Sequence, residues 1–153
     1  MSNGHIRIFP HTREEFASPD RLVSWLLIGL RAGGGVYLLR SGRQIADLPI
    51  GSVVLFQWSN DQIVGEAVVA KEILRSNVKS VTESGQEANY EAQVTFAPSS
   101  IRLYSPPLPL KTLQGFIGEE KDILAVPHYV KIDDWSIYHR ILQAVVSRGG
   151  FIS

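Results

Sequence analysis

The stretch VVLFQWSNDQIVGEAVV, Val53–Val69, decides how this chain is read. Two apolar runs rich in β-branched residues flank Trp58, Ser59, Asn60 and Asp61, the pattern of a β-hairpin with a polar tip. Asparagine, aspartate and serine are ordinary turn formers, because their short side chains bond the local backbone. An indole beside them is not required by any turn. Either Trp58 plugs the core at that end of the hairpin, or the hairpin mouth holds something flat.

Working outward, HIRIF alternates as a strand does, and SPDRLVSWLLIGLRAGGG reads as a punctuated helix over about residues 19–32. Ser18 is placed to cap it, Pro19 suits its first position, Asp20 its positive end, and Gly33 to Gly35 stop it. Leu22, Trp25, Leu26 and Leu30 recur at helical spacing, so Trp25 is expected in the core. Pro49 and Gly51 set a turn before the hairpin. RSNVKSVTESGQEANYEAQ is polar and reads as a loop or an exposed hairpin end. AQVTFAP and SSIRLYS are strand-like, and PPLPLKTL is an extended link into a short helix. DDWSIYHRILQAVVSRG closes the pattern as an amphipathic helix near 133–147, with Trp135 on its apolar face. Strands cluster centrally between terminal helices. The expected class is α+β, a small curved and mostly antiparallel barrel over about residues 36 to 104 with flanking helices.

Composition narrows the functional classes. A chain of 153 residues is one domain by size, long enough to bury a core. The 15 basic and 15 acidic residues cancel, which argues against gripping nucleic acid by bulk charge. A local basic strip is still open to it. No cysteine is present, which removes disulfides, thiol catalysis and thiolate-bound zinc. The N-terminus lacks a signal-peptide core, and the longest apolar run, LVSWLLIGL, is too short to span a bilayer, so a cytoplasmic protein is expected. The expected domain covers 1–147. Residues 148–153, RGGFIS, read as an unstructured end or a cut through a linker in a longer parent.

The order of these elements resembles the EVE domain, a member of the PUA-like group that also holds the YTH and ASCH domains. GGVYLLRSGRQIADLPIGSVVLFQWSNDQIVGEAVV is similar to the family's Gly-Val, Tyr and Arg segment, its turn, its Phe-x-aromatic-Ser-Asn, and its Ile-Val-Gly-x-Ala-x-Val. SSIRLYSPPLPLKTLQG is similar to its Val-Asp-Val-Arg strand and proline link, and VPHYVKIDDWSIYHRIL to its closing Glu-Trp-x-x-Ile-Leu segment. The match spans about residues 34 to 145. Departures are Ser52 and Ser100, where the family has Asp, Phe96, near a common Trp, and the missing early Trp-Leu strand.

The resemblance implies a binding module with no cofactor, which holds a modified base flipped out of nucleic acid. Such a pocket needs flat walls, short polar groups for the base edge, and a basic rim for phosphates. Trp58 is the first candidate stacking ring, or else a plug at one end of the barrel. Ser59 and Asn60 bond a base edge or cap the turn. Tyr37 and Phe96 are cage walls or core. Arg40, Arg43 and Arg102 are candidates for phosphate contact, and Lys71 lies with Arg75 and Lys79 along a groove beside the second hairpin strand. By resemblance the partner is DNA bearing a methylated or hydroxymethylated cytosine, with a fused or partner nuclease as in modification-dependent restriction. The alternatives are a reader of methylated RNA and a protein-interaction domain. Against catalysis, His5, His11, His128 and His139 show no metal-ligand spacing, and no nucleophile elbow or phosphate-binding glycine loop occurs.

Overall fold

The computed structural model describes residues 4–39, 47–81, 85, 87–119, 121–124 and 130–152, the side chains of 76–78 excepted. β1 (Ile6–His11) leads into α1 (Pro19–Ser24), which runs without a break into a π-helical segment, Trp25–Leu30. β2 (Val36–Leu39), the hairpin β3 (Val53–Trp58) and β4 (Gln62–Val68), and the hairpin β5 (Leu74–Val81) and β6 (Glu87–Thr95) follow. β7 (Arg102–Pro109), α2 (Leu110–Ile117), β8 (Lys131–Ile132), α3 (Trp135–Arg148) and β9 (Gly150–Ile152) complete the chain. The architecture is α+β. A larger sheet has the order β8-β1-β3-β4-β7-β9, and a smaller one the order β2-β6-β5.

The hairpin at the centre of the sequence is also the centre of the larger sheet. β3 is buried on both faces, which is why its sequence is a continuous apolar run rather than an alternating one. Val54, Phe56 and Trp58 face one core with α1 and the smaller sheet, and Val53 and Leu55 face a second core with α2 and α3. β1 lies parallel to β3, from Ile6 opposite Val53 to His11 opposite Trp58, while the other strand pairs are antiparallel, in keeping with the mostly antiparallel arrangement expected. Local periodicity carries no information about so distant a partner. The two sheets meet at one corner, where Val69 bridges Phe96 and the Phe96 N–H donates to the Gly35 carbonyl. The described strands form two sheets, and no closed barrel is found among them.

Two expectations are corrected here. The end read as unstructured forms β9 on the edge of β7, with Phe151 under the Arg102 guanidinium at 3.8 Å. Trp135, expected in the core, is 39% exposed, because it opens α3 and its Nε1–H donates to the Gly4 carbonyl instead of packing inward. The α1 cap is as expected, with Ser18 Oγ accepting from the Arg21 N–H. Among the described residues no helix is long and apolar enough to cross a membrane.

Candidate functional site

The site begins with the helix that changes pitch. Leu22, Leu26 and Leu30, spaced by four, are all buried in the first core. Positions four apart drift only slowly around a regular α-helix, whose hydrogen bonds span four residues. The Arg31 N–H instead reaches back to the Leu26 carbonyl, a bond across five residues that widens the turn. Arg21, Trp25 and Gly29, likewise spaced by four, share the neighbouring face. π-helical turns are rare and recur at functional sites.

That face walls a cleft of about 560 Å³, lined also by Phe16, Ser24 and Ile28. Ile28 is 70% exposed and Trp25 half-buried. Gly29 sets the indole in place. A Cβ there would lie 2.8 Å from Trp25 Cδ1, so only glycine lets the ring rest against the helix. Phe16 tilts against Trp25 with centroids 5.6 Å apart. Glu14, Glu15 and Asp20 add carboxylates to the lining, opposed by Arg21. Thr12 and Glu15 cap the approaching turn reciprocally, the Thr12 N–H donating to Glu15 Oε1 at 3.1 Å and the Glu15 N–H to Thr12 Oγ1 at 3.2 Å. Glu15 is therefore engaged. Glu14 and Asp20 are the freer acceptors.

Beneath the cleft lies an aromatic floor. Trp25 meets Tyr37 edge-on at 5.7 Å, and Tyr37 meets Phe96, Phe56 and Phe9 at 6.0, 6.2 and 5.2 Å. His11 is buried among them. Its Nδ1 is 3.0 Å from the Gln57 carbonyl, which only accepts, so Nδ1 carries the proton. In the neutral ring Nε2 then accepts from the Tyr37 hydroxyl at 2.7 Å. Burial holds the His11 pKa below its ordinary 6.5, and burial with Arg7 nearby does the same for His5. Folded-state pKa values depressed in this way stabilise the protein above pH 6.5, and that contribution is lost as pH falls through the folded values. The melting temperature is expected to drop between pH 7 and pH 5, read by thermal denaturation. A flat profile there would contradict neutral buried histidines.

The sequence-predicted site residues divide sharply. Tyr37, Trp58 and Phe96 are drawn together, but as floor and core rather than as open walls. Trp58 is 4% exposed, its Nε1–H donating to the Phe16 carbonyl at 2.9 Å, so it stands one layer behind the cleft. Phe96 is fully buried, and the Tyr37 hydroxyl is taken by His11. These placements correct the expectation of exposed cage rings. Ser59 is half-buried with φ of 51°, the left-handed region that glycine usually fills. Its Oγ accepts from Arg13 Nε at 3.1 Å, and the Arg13 guanidinium lies 4.3 Å over the Trp58 ring. At an exposed site a cation–π contact contributes about 0.5–1 kcal/mol. Arg13 is therefore held loosely. Asn60 is exposed at the hairpin tip.

The predicted phosphate contacts are not brought together. Arg40 and Arg43 lie outside the described residues. Lys71 is exposed at the end of β4 remote from Trp58, while Arg75 and Lys79 stand on the edge strand β5. Arg102 is committed elsewhere, a correction with a clear cause. It sits opposite Glu66 in the β4–β7 register, and its Nε donates to Glu66 Oε2 at 3.3 Å. Glu66, 2% exposed, also accepts from the Tyr104 hydroxyl at 2.8 Å and the Tyr138 hydroxyl at 2.5 Å. Among the described residues no group of His, Asp and Glu is placed to hold a metal ion. Sequence reading missed Phe16, Gly29 and the carboxylates. The Thr-Arg-Glu-Glu capping box was the signal that a fixed turn presents them.

No protein-family model and no curated protein sequence matches the chain.

Proposed function

We propose that this chain is a PUA-like domain of the EVE type that holds a modified base flipped out of nucleic acid, DNA in preference to RNA. The observation that carries the reading is Trp25, a half-buried indole seated on Gly29 within a π-helical segment, on the wall of an open cleft. A cleft of about 560 Å³ falls within the usual range for small-ligand sites, roughly 300–1,000 Å³. Extruding a base costs a few kcal/mol, and stacking on one aromatic face returns roughly 1–3 kcal/mol. Carboxylates suit cytosine in particular, because its exocyclic amine is a donor that Glu and Asp accept. Glu14 and Asp20 take that role, and a methylated or hydroxymethylated cytosine is the favoured ligand. The domain binds and does not catalyse. In this reading it works in the cytoplasm without a cofactor, as the sensor for a fused or partner nuclease.

A panel of oligonucleotides, DNA and RNA, with and without 5-methyl- or 5-hydroxymethylcytosine, tests this at one stated salt concentration. Modified DNA is expected to bind tightest. With three carboxylates in the lining and a net charge of zero, the salt dependence should be shallow. Equal affinity for modified and unmodified DNA would contradict the reading, and tighter binding of methylated RNA would overturn the DNA preference. Gly29→Ala should keep the fold, since alanine favours helix, but push the indole aside and lower affinity for the modified strand.

A further inference from the structure

Arg13 is placed between two surfaces that a bound strand would need. Its guanidinium covers the outer face of Trp58 at 4.3 Å, and among the described residues its one hydrogen bond is to Ser59 Oγ at 3.1 Å. Its side chain is exposed, and the turn that carries it continues directly into Glu14 and Phe16 on the cleft wall. Trp58 beneath it is fixed in orientation, because its Nε1–H is bonded to the Phe16 carbonyl. A rigid, correctly oriented indole thus lies next to the cleft under a cover that is long, flexible and weakly held.

We propose that Arg13 is a displaceable cap over a second stacking subsite. Resting on the base-flipping reading above, the inference is that the bound strand draws the guanidinium from Trp58 onto a phosphate. The uncovered indole face then stacks the nucleobase next to the flipped one. The exchange is chemically matched at both ends. Guanidinium pairs with phosphate through planar, charge-assisted hydrogen bonds, and an indole accepts any base by its π-face. Ser59 gives up one bond from Arg13 and gains an exposed hydroxyl beside the entering base. Ser59 itself sits in the left-handed region at the hairpin turn, with that hydroxyl bonded to Arg13.

The test uses the full chain labelled with 5-fluorotryptophan, whose three fluorine signals are assigned by single Trp→Phe variants. In the free protein the Trp58 signal should show little solvent isotope shift, and Arg13→Ala should raise it toward that of Trp135. Adding modified duplex to the unaltered protein should move the Trp58 signal by the ring current of a stacked base. Arg13→Ala should bind about tenfold more weakly, with a log–log salt slope shallower by about 0.9 for the lost phosphate contact. Arg13→Lys should keep that slope. An unshifted isotope effect in Arg13→Ala would overturn the cap. Tight binding of modified duplex with an unmoved Trp58 signal would overturn the subsite while leaving the Trp25 cleft standing. Failure of every oligonucleotide to bind would overturn both the subsite and the reading it rests on.

Discussion

Trp58→Ala is expected to lower stability by roughly 3–5 kcal/mol, the cost of removing a large buried aromatic and leaving a cavity. The side chain is 4% exposed and packs in the first core with Phe16, Phe56 and Tyr37. Its loss also orphans the Phe16 carbonyl, which it satisfies at 2.9 Å, and leaves Arg13 without a platform. In a domain of this size each kcal/mol moves the melting temperature by about 2–4 °C, so a fall of about 10 °C is expected by calorimetry. Trp58→Phe, which refills most of the space, should cost far less. Of the two readings the sequence left open for Trp58, stacking ring or plug, its burial in the first core favours the plug. A loss of under about 2 °C for the alanine variant would contradict the packing described.

The second large effect belongs to Glu66. Its carboxylate joins three elements: its own strand β4, β7 through Arg102 and Tyr104, and α3 through Tyr138. Arg102 in turn covers Phe151 of β9, so this one group adds to the ties between the sheet and both the C-terminal helix and strand. Breaking a buried pair by deleting one partner costs about 3–5 kcal/mol. The Arg102 side chain is 35% exposed and can turn to water, which places Glu66→Ala near the lower end of that range, about 3 kcal/mol. Burial, and then the Glu66 charge, push the Tyr104 and Tyr138 hydroxyls above the usual tyrosine pKa of 10.0. A folded pKa raised in this way gives stability that is intact below pH 10 and lost as pH rises beyond it, because the unfolded chain ionises first. Denaturant midpoints are expected to fall above pH 10 in the native protein, and to fall less steeply in Glu66→Ala.

What was legible in the sequence is what local physics writes there. The β3–β4 hairpin follows from two apolar runs and a polar turn, and α1 follows from Ser18, Pro19 and Asp20. Pairing of β1 with β3 is not written locally, since any strand of that length would read alike. β9 has three residues, too few for a period, and depends on the stacking of Phe151 on Arg102. The cleft was hidden by a border position. Trp25 fits the helical spacing of Leu22 and Leu26 but stands at the edge of their stripe, half-buried between core and cleft. Glu66 was visible as a lone carboxylate in the apolar run IVGEAVV, where burial without a partner would be costly. Its partner across the sheet, Arg102, was assigned to phosphate because register was not known.

The central claim is that Trp25 stacks the flipped base, and the ratio of Kd values for unmodified and modified duplex tests it. The ratio should be measured on the native chain and on Trp25→Ala, at one salt concentration, with melting curves to show that both are folded. Loss of roughly 1–3 kcal/mol of stacking should weaken the modified duplex by about 5- to 150-fold and bring the ratio close to one. Unmodified duplex, held by phosphate contacts, should bind nearly as before. A folded Trp25→Ala protein that keeps the native ratio would contradict the account.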